Sequence, residues 1–117
     1  MLQINNRRYD DILIVTMDGE LDHNTATDAR EELTGLIEDG SIRNMVVDLS
    51  GLQFMDSSGI GMFIGRYKVL KQRGGNMAVF GLNRHISKIW DISGLCQIIK
   101  IYKDLDESLG NIGGTKR

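Results

Sequence analysis

Asp56-Ser57-Ser58-Gly59 places a carboxylate, two hydroxyls and a glycine side by side, the densest grouping of reactive residue types in the chain. The apolar run Met45-Val46-Val47-Asp48-Leu49 precedes it and reads as a buried strand. Ile60, Phe63, Ile64, Tyr67 and Leu70 follow, spaced to line one side of an α-helix. The serines therefore fall where a strand hands over to a helix, the position at which α/β folds present loops to ligands. Two uses compete for them. Asp and Ser before an apolar helix cap it, because their oxygens accept amides that have no partner within the helix. An exposed hydroxyl at such a corner is also a phosphoacceptor. Phosphate at Ser57 adds roughly −1.5 to −2 charges and meets the partial positive charge, about +0.5, of the helix start. Its own fold tolerates it, but a partner covering the corner cannot desolvate it without compensation. The expectation is that the charge state of Ser57 decides partner binding. Asp56 is expected to cap the helix or shape the loop, since a kinase brings its own base and metal.

The helix after the serines carries a second signal. With its apolar residues turned inward, Met62, Arg66 and Val69 fall on the opposite side, and Gly61 and Gly65 lie on the flank between. Each glycine costs about 1 kcal/mol relative to alanine inside a helix. Either another element of the same fold packs closely there, or a partner's backbone approaches and side chains would block it. Both readings stay open on the sequence. Met62 and Val69 beside a basic Arg66 suit a docking patch.

Other chemistries fit less well. A serine hydrolase would join Ser57 to His23 and Asp22, but the Gly-x-Ser-x-Gly elbow is absent. No phosphate-cradling glycine motif follows a suitable strand. Cys96, His23 and His85 are too few and scattered for a zinc site, so no metal and no cofactor is expected.

The elements that must position the corner are legible in order. Leu2 to Arg8 forms an edge strand, Tyr9-Asp10-Asp11 a turn, and Ile12 to Met17 a strand, together an antiparallel hairpin. Gly19-Glu20-Leu21-Asp22 leads into helix one, with Asp22 or Asn24 as its cap. Ala26, Ala29, Leu33, Leu36 and Ile37 carry that helix to about Glu38, and Gly40 stops it. The strand near Arg43 to Leu49 leads to the serine corner and helix two, which ends at Gly74-Gly75. Met77 to Phe80 is a strand, Asn83 starts helix three, and Ser93-Gly94 breaks it. Ile98, Ile99 and Ile101 mark a last strand, and Asp104 caps a last helix carrying Leu105 and Leu109. Strands alternating with helices predict one α/β domain over 1–109, a mixed and mostly parallel sheet of about five strands with packed helices. Residues 110–117 hold three glycines and are expected to fray.

Composition limits what the chain can do. Its 117 residues suit one domain. A net charge of −2 gives no electrostatic footprint for direct nucleic-acid binding. No stretch approaches the roughly 20 apolar residues of a membrane span, and the first residues lack the apolar core of a secretory signal. One cysteine cannot form an internal disulfide, which fits the cytoplasm.

Phe54-Met55-Asp56-Ser57-Ser58-Gly59-Ile60-Gly61, with Gly65-Arg66-Tyr67-Lys68 and Lys71 through Gly75, closely resembles the anti-sigma F factor antagonists (the stage II sporulation AA family). Gly19-Glu20-Leu21-Asp22-His23 and Trp90-Asp91-Ile92-Ser93-Gly94-Leu95 match as well. Asp-Ser-Ser-Gly alone would indicate only the wider group of sulfate-transporter and anti-sigma-antagonist (STAS) domains. The resemblance implies a STAS fold and a partner that is both an anti-sigma factor and a serine kinase. Unphosphorylated members bind that partner and free the sigma factor. Phosphorylation of the first serine, here Ser57, releases the antagonist, and a serine phosphatase restores it. Asp22 matches a loop position near the binding face. Taken with the helix patch, the expected contact set is Asp22, Asp56, Ser57, Ser58, Gly59, Gly61, Met62, Gly65, Arg66 and Val69. A STAS antagonist in a stress-response switch would share the fold and the serine chemistry; Gly-Arg-Tyr-Lys favours the sporulation branch. Trp90 stands where the family resemblance leads one to expect a phenylalanine.

Overall fold

Strict alternation along the central strands decides the layering. The computed structural model describes residues 1–112. Its elements are β1 (Leu2–Tyr9), β2 (Ile12–Leu21), α1 (Ala26–Leu36), β3 (Asn44–Met55), α2 (Ser57–Gln72), β4 (Met77–Phe80), α3 (Arg84–Ile92), a 3-10 turn (Leu95–Gln97), β5 (Lys100–Tyr102) and α4 (Leu105–Ile112). Leu13, Val15 and Met17 of β2, Met45, Val47 and Leu49 of β3, and Met77 and Val79 of β4 share one apolar cluster with α1, α2 and α3. Ile12, Ile14, Val46 and Ala78, the alternate residues, share the other with Leu105, Leu109 and Ile112 of α4. A strand covered on both faces has no polar face to show, which is why these runs read as continuously apolar.

The sheet runs β1-β2-β3-β4-β5. β1 pairs antiparallel with β2, and the remaining neighbours are parallel, as the alternation of strands and helices predicts. Strand order never reverses, so successive crossovers advance the same way and leave α1, α2 and α3 on one face. The fifth strand is only three residues long. A 3-10 turn takes the chain from α3 to it, so Ile98 and Ile99, expected in the strand, stand before it; Ile99 is buried all the same.

Helix two ends as its glycines predict. Gly74 has φ +79°, its amide donates to the Lys71 carbonyl (3.0 Å), and the Gly75 amide donates to the Leu70 carbonyl (2.9 Å), the paired bonds of a Schellman cap. Helix one stops at Leu36, two residues before the expected end, and turns into Gly40 at φ +81°. The expected fraying from Gly110 begins too early: α4 continues through Gly110, Asn111 and Ile112, because Ile112 is buried against the sheet. The rest of that expectation, 113–117, lies outside the described residues.

Trp90 is fully buried. Its Nε1–H donates to the Ile99 carbonyl at 3.1 Å, and its ring meets Phe63 edge-on with centroids 5.1 Å apart. A phenylalanine here has no donor for that carbonyl. Trp90→Phe is expected to lower the unfolding free energy by about 1–3 kcal/mol, the cost of an orphaned buried acceptor, and Trp90→Ala by about 3–5 kcal/mol. Urea unfolding of both variants checks this; equal stability of Trp90→Phe and the parent would deny the hydrogen bond any weight.

Candidate functional site

Parallel pairing brings two loops to one place. Leu21, the end of β2, is in register with Met55, the end of β3. The chain therefore leaves both strands side by side, and the Asp56 amide still donates to the Leu21 carbonyl at 3.2 Å. Asp56 has extended backbone angles and caps α2: its Oδ1 accepts the Ser58 amide at 2.9 Å. Its Oδ2 accepts the His23 amide at 3.2 Å. One carboxylate thus holds amides from both loops, joining the two roles, cap and loop shaping, expected of it as alternatives.

Asp22 organises the first loop. Its Oδ1 accepts the amides of Asn24 (2.9 Å) and Thr25 (3.1 Å), and the Thr25 hydroxyl donates to the Glu20 carbonyl at 2.8 Å. Partial desolvation pushes the Asp22 carboxyl upward, but the amides of Asn24 and Thr25 and the Thr25 hydroxyl outweigh it and hold it below the ordinary aspartate value. The helix cap itself is Thr25, without a side-chain bond to the helix. Asp22 acts one turn earlier than expected, within the loop.

Ser57 is the first residue of α2 and is exposed, Ser58 is half-buried, and Gly59 is buried. A Cβ at Gly59 would come within 2.6 Å of Met55 Cγ and 3.0 Å of Leu21. Gly59 therefore lets the helix start sit on the ends of β2 and β3 rather than offering a contact. The expected outward positions of α2 need correction. Met62 is only 3% exposed, inside the cluster that holds Ala26, Ala29 and Leu33 of α1. Val69 is half-buried and packs on the same cluster. Helix α2 is covered on two sides, by the sheet and by α1, so a wheel that assigns it one apolar face turns Met62 and Val69 the wrong way.

Gly61 and Gly65 answer the question left open by the sequence. A Cβ at either would meet no atom of the described residues within 4 Å beyond its own helix backbone and chain neighbours, so close packing against another described element does not account for them. Together with Ser58, Arg66, and His23 and Arg30 from the α1 side, they line a groove of about 400 Å³ between α1 and α2. Arg66 is half-buried beneath it, and its Nε and Nη1 are buried with no hydrogen-bond partner. Burial first, and then the Arg30 charge, lowers the Arg66 pKa from its ordinary value, though a guanidinium stays protonated at neutral pH. Arg30 was not marked by the sequence, because nothing before the α1–α2 packing is known sets it beside Arg66. Phe54, at the end of β3, is 41% exposed and stacks on His85 with centroids 5.9 Å apart, another pairing the sequence does not reveal.

The hydrolase reading does not assemble. Asp22 Oδ1 serves the amides and hydroxyl of its own loop, and His23 joins the corner through its main-chain amide. A second cavity of about 320 Å³ lies at the amino ends of β4 and β5, beside Tyr67, Lys71 and Tyr102, and includes none of the corner residues. No helix among the described residues is long and apolar enough to cross a membrane.

Residues 3–108 match the STAS-domain family model. The chain is 43% identical over 101 residues to the anti-sigma F factor antagonist of Paenibacillus polymyxa, covering 86% of each. It is 34% identical over 111 residues to the anti-sigma-B factor antagonist of Listeria monocytogenes, covering 94% of this chain and 95% of that one. Among solved structures, the unphosphorylated form of the anti-sigma factor antagonist SpoIIAA superposes with a TM-score of 0.73 at 21% identity, over 93% of this chain and 94% of that one. The phosphorylated form of SpoIIAA, a Bacillus cell fate determinant, gives 0.71 at 24% identity, over 93% and 96%.

Removing the shared carboxylate has a distinctive expected outcome. Asp56→Ala should lose about 1 kcal/mol of stability, the usual worth of a helix cap, and speed amide exchange at both Ser58 and His23. A change confined to Ser58, followed by hydrogen-exchange NMR, would show that the bond to the first loop carries nothing.

Proposed function

The chain belongs to the STAS-domain family, and from that premise we propose that it is an anti-sigma factor antagonist switched by phosphorylation of Ser57. In its unphosphorylated form it binds an anti-sigma factor that is also a serine kinase, and so frees a sigma factor for sporulation transcription. The kinase phosphorylates Ser57, the complex separates, and a serine phosphatase restores the hydroxyl. The chain acts in the cytoplasm as a binding protein, without cofactor and without catalysis of its own. The sporulation branch is preferred to the stress-response branch because the sigma F antagonist is the more similar relative, 43% against 34% identical.

The observation that carries this reading is the placement of Ser57: exposed, first in α2, and held beside the Asp22 loop by Asp56. Its hydroxyl can reach a kinase without unfolding. A phosphate there sits on the positive end of a helix with no acidic residue in its first turn, so the domain keeps its fold. The same phosphate adds to the carboxylates of Asp22 and Asp56 on the face offered to a partner. Burying that charge without a counterion is costly, and about 2.8 kcal/mol of loss already weakens binding 100-fold. The proposed face consists of Asp22, Ser57, Ser58, Gly61, Gly65 and Arg66. Asp56 and Gly59 shape it from within. Met62 and Val69 support it from the α1–α2 interface.

Incubation with the cognate kinase and ATP should modify Ser57 and leave Ser57→Ala unmodified. Ser57→Ala should stay bound, and Ser57→Asp should bind at least about 100-fold more weakly with little change in thermal midpoint. Phosphate mapped to another residue, or equal affinity of both forms, would overturn the proposal.

The helix glycines give an independent test. Gly61→Ala and Gly65→Ala should each raise stability by up to about 1 kcal/mol, since alanine is the better helix former and finds open space. Both should weaken the complex. Stabilised variants that bind as tightly as the parent would remove the glycines from the docking face.

A further inference from the structure

We propose that the groove between α1 and α2 receives an acidic side chain of the anti-sigma partner, clamped between Arg30 and Arg66 next to the Ser57 corner. The inference rests on the partner-binding reading above and specifies the chemistry of the contact. Arg66 reaches into the seam between the two helices, yet its Nε and Nη1 lie buried without a hydrogen-bond partner. A guanidinium has five donors in a fixed fork, and leaving the three on Nε and Nη1 buried and unpaired is costly. Arg30 adds a second positive charge on the facing helix and lines the same groove. Its proximity opposes the charge on Arg66, as burial does. No acid among the described residues lies within ion-pair distance of either arginine; the described ion pair is between the Met1 ammonium and Glu20. Two like charges facing one groove without a counterion call for an anion, and a carboxylate matches the fork of Arg66 in shape and charge.

The shape of the groove favours an acid carried on a protein chain. It is about 400 Å³, and Gly61 and Gly65 leave two side-chain-free positions in its α2 wall, with no described atom beyond their own helix backbone and chain neighbours within 4 Å of where a Cβ would stand. A partner's backbone can therefore lie along the wall while its side chain descends to Arg66. Ser58 lines the same groove and joins it to the phosphoacceptor one residue earlier. The arrangement explains how phosphate expels the partner. A phosphate at Ser57 stands beside the groove, repels the docked carboxylate, and competes with it for the arginines.

The test measures binding of the purified cognate anti-sigma kinase, without ATP, to the full chain and to Arg66→Gln, Arg66→Lys and Arg30→Gln, each with and without Ser57→Asp. Unmodified chain that binds while Arg66→Gln binds at least tenfold more weakly, with Arg66→Lys between them and a shallower salt dependence in Arg66→Gln, supports the clamp. Arg30→Gln, an exposed change that the fold tolerates, should lose affinity in the same direction. Arg66→Gln should also shrink the penalty of Ser57→Asp, a coupling that a structural role alone does not produce. Unmodified chain that binds while both arginine variants bind equally well overturns the clamp and leaves the antagonist reading standing. Unmodified chain that does not bind overturns both. NMR titration of the free chain with inorganic phosphate and with ATP completes the test: saturation of the Arg66 region by either at micromolar concentration overturns the clamp in favour of a small-molecule site.

Discussion

The parallel pairing of β2 with β3 to its last rung, Leu21 with Met55, is the constraint on which the functional corner depends. Two chain segments separated by more than thirty residues leave the sheet in contact there, and Asp56 then joins them with both oxygens of one carboxylate. The bonds are charge-assisted and run to main-chain amides, which only a proline substitution at the donor residue removes. Gly59 completes the join by allowing the start of α2 to rest on Met55 and Leu21. Rigidity of this kind matters to the proposed switch, which would work by charge alone. If the loops were loose, a phosphate could turn away from the partner, and its repulsion would be spread over many conformations.

The electrostatics of the corner are divided along α2. The helix start has no acidic residue in its first turn and tolerates added negative charge. The Asp22 carboxyl, held low by amides of its own loop, stays ionised beside it. The groove alongside is positive, with Arg66 partly dehydrated and Arg30 opposite. A surface that sets negative and positive patches so close together can recognise a partner of matching pattern, and specificity rather than raw affinity is what such patterns confer. It would also give the proposed modification of Ser57 a large effect, because the new charge would fall at the boundary between the patches.

Most of the scaffold was legible because its signals are local. The apolar runs alternate in type but not in polarity, the glycine stop at Gly74-Gly75 forms the cap it promises, and the side chains of Asp56 and Asn83 accept the amides expected of helix caps. What the sequence hid depends on packing between elements. Met62 and Val69 looked outward because a helical wheel shows one best face, and α2 has two covered sides. Arg30 went unmarked because only the crossing of α1 over α2 sets it against Arg66. Gly61 and Gly65 were ambiguous because a missing side chain has the same appearance whether the space belongs to the protein or to its partner. The end of α4 was cut short at two glycine-flanked positions, yet Ile112 finds apolar cover on the sheet and the helix extends to it.

The same residues show how stability and binding are set against each other. A chain selected only to stay folded would carry alanine at 61 and 65, where the helix gains and nothing clashes. It would also carry an apolar or paired residue in place of an arginine with two buried, unpaired nitrogens. Each feature costs the isolated domain something, and all three border one groove that reaches Ser58, next to the proposed phosphoacceptor Ser57. Independent local penalties have no reason to collect on one surface unless something outside the chain removes them. The proposed partner would do so: its backbone would fill the space above the glycines, and its anion would satisfy the guanidinium. On that proposal the free domain is the less complete of two states, and a charge added at Ser57 would act on the free energy that completion releases.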